Sequence, residues 1–285
     1  METKKPNLSK SSITTYSSIL KNLYNRVFGE GDIDMEKFNQ TDKVLDFLKN
    51  VPSNKRKTIL SSLVIITDKK PYRDLMLDDV REYNKEIHKQ EKTEEQKNSW
   101  IETSQVKQRI DSLRENAELI YKKKQLTITD LQEIQSYIIM CLLGGIYIAP
   151  RRSKDYVDFK IKNINKEKDN YLDKNKMFFN SYKTSKTYGQ QVVDIPIQLK
   201  NILNKWIKIN ATDYLLFDSN LNKISSVKLN QRLNKIFSNK ISVNQLRHTY
   251  LSDKFSHTIK EKDEIKETMQ EMGSSANMLT TYVKK

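Results

Sequence analysis

The chain has 285 residues, of which 36% are hydrophobic and 31% charged, with 6 Gly and 5 Pro; this favours a largely helical protein of two unequal domains over a β-sandwich. One cysteine and 3 His exclude disulfides and cysteine-based zinc sites and make a metal cluster improbable. Against 36 Asp+Glu stand 51 Lys+Arg, a net charge of +15, which points to a polyanionic partner.

Residues 8–28 open with cap-type serines and continue with Ile13, Tyr16, Ile19, Leu20, Leu23 and Val27 at helical spacing. Further helices are expected over 41–50, with Thr41 as cap, over 53–68, and over 72–98, where apolar anchors thin out into a charged linker at about 88–104. The first hundred residues thus read as a four-helix domain, nearly balanced in charge with 19 basic and 16 acidic side chains. The N-terminal METKKPNLSKSS lacks the apolar core of a signal peptide. Helices follow over 104–124 and 127–147. The second, with Thr129 or Asp130 near its cap, is apolar on most faces and should be the buried centre of the larger domain, with Cys141 as a buried structural thiol. Its continuation YIIMCLLGGIYIAP is too short and too glycine-broken to span a bilayer, and Pro150 should end the helix.

The pattern then changes. The segments 158–164, 176–183 and 190–197 are short and β-rich, and they predict a small antiparallel sheet. Helical spacing resumes over 198–210, 226–240, 242–256 and 262–272. The fold class is therefore mainly α with a small antiparallel sheet, an α+β arrangement. Residues 151–250 hold 20 basic and 8 acidic side chains, so the basic surplus is concentrated where the chemistry-bearing residues lie.

Four features stand out there. In APRRSKDY, Arg151 and Arg152 leave the buried helix; a helix C-terminus favours cations anyway. Lys183 and Lys186 occupy the tip of an expected hairpin, where lysines are usually only solvated. In NQLRHTYLSDKF, Leu246, Tyr250 and Leu251 should form an apolar face with Arg247 beside it, and a semi-buried arginine needs a carboxylate or phosphate partner. The tail carries Gly273-Ser274-Ser275 and then Tyr282.

Their order and type resemble the tyrosine recombinase (phage-integrase) family over nearly the whole chain. The family's Arg-x-x-Glu fits Arg152-Ser153-Lys154-Asp155, with Arg151 as the alternative register. Its His-x-Leu-Arg-His-Thr fits Asn244 to Thr249, which includes Arg247. Its Leu-Gly-His-Ser-Ser fits Met272-Gly273-Ser274-Ser275 followed by Tyr282, with Gly273 as the equivalent if the spacing is one residue short. The hairpin lysine is Lys186, or Lys183 if the preceding strand sets the register. Two departures stand out: Asn244 replaces an imidazole, and Ser274 stands about where a His or Trp belongs. His248 does not fill either gap.

The resemblance implies a helical core-binding domain, 1–98, and a catalytic domain, 99–285, closing around double-stranded DNA, with Lys10, Lys154 and Lys183 on phosphates. It implies strand cleavage and rejoining through a 3′-phosphotyrosyl link to Tyr282, with no cofactor and no metal. It also implies a homotetramer on two DNA sites, monomeric without DNA, and action at DNA inside the cell (host cytoplasm or nucleus) or in the virion, without a membrane. The Lys/Asn/Ile-rich composition is compatible with a viral or mobile-element genome. The chemistry wants these residue types. Planar guanidiniums grip the non-bridging oxygens of a pentavalent phosphorus. A tyrosine of ordinary pKa about 10 needs cations or a base to act as a phenolate, and the leaving 5′ oxygen needs a proton that a lysine can give. Nicking and resealing in the manner of a type IB topoisomerase, or DNA binding without catalysis, are the alternatives.

Overall fold

Apolar residues three and four apart bring the first four helices together in the computed structural model, which describes residues 8–283. The chain divides into two units, residues 1–93 and 94–285. In the first, α1 (Lys10–Phe28) begins where the Ser9 side chain accepts from the Ser12 N–H, and it ends at Gly29. A 3₁₀ turn, Met35–Asn39, leads to α2 (Thr41–Leu48), α3 (Ser53–Thr67) and α4 (Lys70–His88). Leu20, Leu23, Tyr24, Phe38, Val44, Leu48, Leu60, Leu63 and Tyr72 are buried together. The buried Tyr72 hydroxyl donates to the Phe38 carbonyl at 2.7 Å. Asp79, buried on α4, receives two bonds from Arg56, from Nε at 2.9 Å and Nη2 at 2.6 Å. Thr41 is the first helical residue rather than the cap, which is Gln40. Helix α4 stops at His88, short of the expected 98, where the apolar anchors run out.

The second unit starts with α5 (Glu94–Ser99) and α6 (Thr103–Ile120) and is built around α7 (Ile128–Leu143). Every residue of α7 from Ile134 to Leu143 is buried, Cys141 among them. Burial pushes the Cys141 thiol up to about 12. The α7 cap is Thr127, not Thr129 or Asp130: its hydroxyl accepts from the Asp130 N–H while the Asp130 carboxylate accepts from the Thr127 N–H, a reciprocal capping box. The helix ends at the Gly144–Gly145 pair, well before Pro150. Gly145 has φ +75°, and a β-carbon there would come within 2.5 Å of the Tyr250 ring, so this glycine lets a later helix cross close to the end of α7.

After α8 (Ser153–Val157) come β1 (Phe159–Lys160), β2 (Asn170–Asp173), β3 (Lys176–Phe179), the one-turn α9 (Ser185–Tyr188) and β4 (Gln191–Asp194), in spatial order β1-β2-β3-β4. The sheet is mixed rather than purely antiparallel. Strands β2, β3 and β4 alternate direction, but β1 runs parallel to β2 because a nine-residue loop returns the chain before it pairs. Helices α10 (Ile197–Ile209) and α11 (Ser226–Phe237) cover the core. Then α12 (Val243–Glu271) runs unbroken through what the sequence divides into two helices, since neither Gly nor Pro interrupts it. A 3₁₀ turn, Ala276–Met278, and α13 (Leu279–Tyr282) close the described chain. No described helix is long and apolar enough to cross a membrane.

Candidate functional site

Helix α8 is only five residues long, and the residues around its start define the site. Arg151 Nε donates to Asp155 Oδ2 at 2.9 Å, and its guanidinium carbon lies 3.9 Å from the centre of the Phe179 ring and 5.3 Å from that of Tyr182. Arg151 is thus committed to its own surroundings. Arg152, the α8 N-cap residue, is half-buried and forms no ion pair among the described residues.

Arg247 arrives from the first turns of α12. Ser242 caps that helix by accepting from the Gln245 N–H, and Val243, Leu246 and Thr249 face inward. The Thr249 hydroxyl donates to the Ile101 carbonyl at 2.8 Å, which fixes the rotation of α12. Leu251 is not part of that face; it is 48% exposed. Arg247 is half-buried, and its Nη1 donates weakly to Asn244 Oδ1 at 3.4 Å. Its pKa is lowered, first by burial and then by the nearby Arg152 and Arg151, with Asp155 opposing.

Asp155 is 2% exposed, and its Oδ1 has no hydrogen-bond partner among the described residues. Burial raises its carboxyl above the usual range, against the pull of Arg151, Arg152 and Arg247. Three guanidiniums therefore share one carboxylate. The guanidiniums of Arg152 and Arg247 are planar donor forks of the kind that match carboxylate or phosphate oxygens.

Lys183 and Lys186 lie between β3 and β4, both exposed and without an ion pair among the described residues. The segment is not a bare hairpin tip. Lys186 sits in α9, and the buried Tyr182 closes the segment by donating its hydroxyl to the Gly189 carbonyl at 2.8 Å. Lys154 is exposed on α8, and Lys10 is exposed at the start of α1 in the other unit. The structure thus gathers Arg151, Arg152, Asp155, Asn244 and Arg247.

The tail is elsewhere. Gly273 takes φ +68° and donates to the Gln270 carbonyl at 2.9 Å, while the Ser274 N–H donates to the Met269 carbonyl at 2.8 Å. This paired closure is a Schellman stop, and it requires a residue tolerant of positive φ at position 273. The Gly-Ser pair therefore ends α12. Leu279 and Val283, on either side of Tyr282, line one apolar hollow with Glu261, Glu264, Ile265, Thr268, Met269 and Met272. At 1.5 Å per residue, this part of α12 lies roughly 20 Å or more along the axis from Arg247. The Tyr282 backbone belongs to α13, and its side chain lies outside the described residues. Asn170, Phe179 and Tyr182, which support the cluster, carry no local signal in the sequence, because their contacts reach across the strands.

No protein-family model and no curated protein matches the chain. Among solved structures, it is similar to a lambda integrase dimer bound to a COC′ core site, at 13% identity and TM-score 0.44, over 87% of this chain and 65% of that one. It thus spans just under two thirds of that neighbour. A lambda integrase (75–356) dimer bound to a COC′ core site gives 13% identity and TM-score 0.43, over 86% and 82% of the two chains. Lambda integrase residues 75–356 bound to DNA gives 12% and 0.43, over 90% and 84%.

Proposed function

We propose that this protein is a site-specific DNA recombinase or integrase that cleaves and rejoins strands through a covalent 3′-phosphotyrosyl intermediate, acting at DNA on behalf of a viral or mobile-element genome. The observation that supports this best is the pair of half-buried guanidiniums, Arg152 and Arg247, set beside one buried carboxylate and lacking an acidic partner of their own among the described residues. They grip the non-bridging oxygens as charge builds on phosphorus. Asn244 can add a hydrogen bond from its amide, and Lys186, with Lys183 beside it, gives the departing 5′ oxygen its proton. Tyr282 supplies the nucleophile, and Lys10, Lys154 and Lys183 make phosphate contacts that position the duplex. The working assembly is a homotetramer on two DNA sites.

Completing the site requires the tyrosine to travel, and Ser274 with it. Either α12 opens within the chain, or the segment is exchanged between copies. The distance between Arg247 and the tail, together with Asn244 and Ser274 at imidazole positions, favours a second reading, DNA binding without catalysis.

One experiment separates these readings. The protein is incubated with a pool of nicked duplexes of randomised sequence, and covalent adducts are collected on a denaturing gel. Wild type should form an adduct and Tyr282→Phe none. Intact binding with no wild-type adduct establishes the binding-only reading, and an adduct surviving in Tyr282→Phe rejects this nucleophile. Mixing Tyr282→Phe with a size-tagged Arg247→Ala chain then labels the tagged chain if the tyrosine is exchanged between copies, and neither chain if it acts within its own.

A further inference from the structure

Asn170 forms its hydrogen bonds with neither arginine nor lysine, yet it ties the backbone of α8, at Asp155, to that of residues 180 and 181, just before Lys183. It is fully buried at the start of β2, level with Phe159 of β1. Its Nδ2 donates to the Asp155 carbonyl at 2.9 Å and to the Ser181 carbonyl at 2.8 Å. Its Oδ1 accepts from the N–H groups of Asn180 and Ser181, both at 2.8 Å. A carboxamide has two donor hydrogens and two acceptor lone pairs, and here all four are used on backbone.

The partners matter more than the count. Asp155 is in the five-residue helix that Arg152 precedes as N-cap, and its carbonyl lies near the C-terminal end, where intrahelical partners run out. Ser181 comes two residues before Lys183. Next to it, Tyr182 closes the lysine segment through Gly189 and lies under the Arg151 guanidinium. A second link comes from Asn180, whose Nδ2 donates to the carbonyls of Lys166 and Asp169 while its Oδ1 accepts from Gln190 just past the lysines. The chain of fixed bonds therefore runs from α8, through Asn170, to residues 180–182, and so to α9.

We infer that Asn170 is a positioning residue: it sets the register between the arginine cluster and the general-acid lysine. This rests on the strand-transfer reading above. In that step Tyr282 first releases its phenolic proton to solvent, the phenolate oxygen forms a bond to phosphorus as the bond from phosphorus to the 5′ oxygen breaks, and that oxygen takes a proton from the lysine ammonium, leaving a neutral amine that solvent reprotonates. A lysine displaced by even 1 Å serves this transfer poorly, while the grip on the phosphate is untouched.

Replacing the bridging 5′ oxygen with sulfur gives the test its selectivity. A thiol has a pKa of about 8.5, so a thiolate leaves without needing the proton. Wild type, Lys186→Ala, Lys183→Ala, Asn170→Ser and the milder Tyr182→Phe are compared on the selected duplex with oxygen or sulfur at the scissile position. Duplex affinity and thermal unfolding are followed in parallel. The expected result for Asn170→Ser is cleavage of the oxygen substrate slowed on the order of 10- to 100-fold, part of the ~10²–10⁴-fold worth of a general acid. On the sulfur substrate it recovers to within a few-fold of wild type, as does the lysine variant. Tyr182→Phe should show the same signature, smaller. Equal loss on both substrates, or no loss in either variant, overturns the inference and leaves Asn170 a purely structural residue. If neither lysine variant is rescued by sulfur, the general acid is elsewhere and the inference falls. If wild type forms no adduct with either substrate, the strand-transfer reading itself has failed.

Discussion

Each unit buries an aspartate against an arginine, and the two pairs are built to different ends. Asp79 on α4 is 1% exposed and takes both of its bonds from the single Arg56, so both oxygens are used. Asp155 on α8 is 2% exposed but takes one bond from Arg151, leaves Oδ1 without a partner among the described residues, and has Arg152 and Arg247 close by. The first pair is closed: one charge for one charge, with bidentate geometry that offsets the cost of leaving water. The second is open, with surplus positive charge held half out of solvent. The further guanidiniums repel one another, and the pKa of Arg247 is lowered accordingly, after burial. A closed ion pair serves the fold, and an open one is the arrangement that the proposed phosphate contact would use.

Breaking the closed pair should be the most costly change. Arg56→Ala leaves Asp79 buried and unpaired, which is expected to destabilise the first unit by about 3–5 kcal/mol, read as a shift in urea unfolding, while adduct formation per folded molecule stays at the wild-type level. Opening the cluster further should do the reverse. Arg247→Ala should slow adduct formation by about 10²–10³-fold, the typical loss of one transition-state donor, and flatten the fall of DNA affinity with salt. Its melting temperature should hold or rise, because a cation crowded by Arg152 and Arg151 is gone. A stability loss in Arg247→Ala as large as that in Arg56→Ala would erase the distinction. The smallest effect concerns pH. Burial holds the Asp155 carboxyl above its ordinary value, so its favourable contribution is complete below the unfolded value and is lost as pH rises through the folded one. Unfolding measured from about pH 3.5 to 7 should show wild type losing ground to Asp155→Asn as pH increases, and a gain would reverse the assigned shift.

What could be read from the sequence were features with a local cause. Helices α1, α3, α7, α10 and α11 follow from apolar spacing, and the motifs name Arg152 and Arg247, which the fold brings near each other. Features made by distant contacts could not be read. The alternation of 158–164 suggests a strand, but its parallel pairing with β2 depends on a loop that returns the chain in the same direction. The different surroundings of Arg151 and Arg152 depend on Phe179 and Tyr182, aromatic rings far along the chain that pack against Arg151. Gly273 fits a motif by type, yet its backbone shows a helix stop. Helix α12 reads as two pieces because its middle is polar, but nothing in residues 256–262 breaks a helix, and those residues are mostly exposed without packing that would force a bend.

Cys141, sealed in the centre of α7 with its thiol pushed up by burial, should leave the native protein silent to thiol reagents. Any cysteine placed on the surface would consequently carry a dye or spin label alone, with no background to remove first. One such position on the tail and another near the arginines would turn the separation between α13 and the arginine cluster into a ruler, which should shorten on DNA if the proposed travel of the tail occurs.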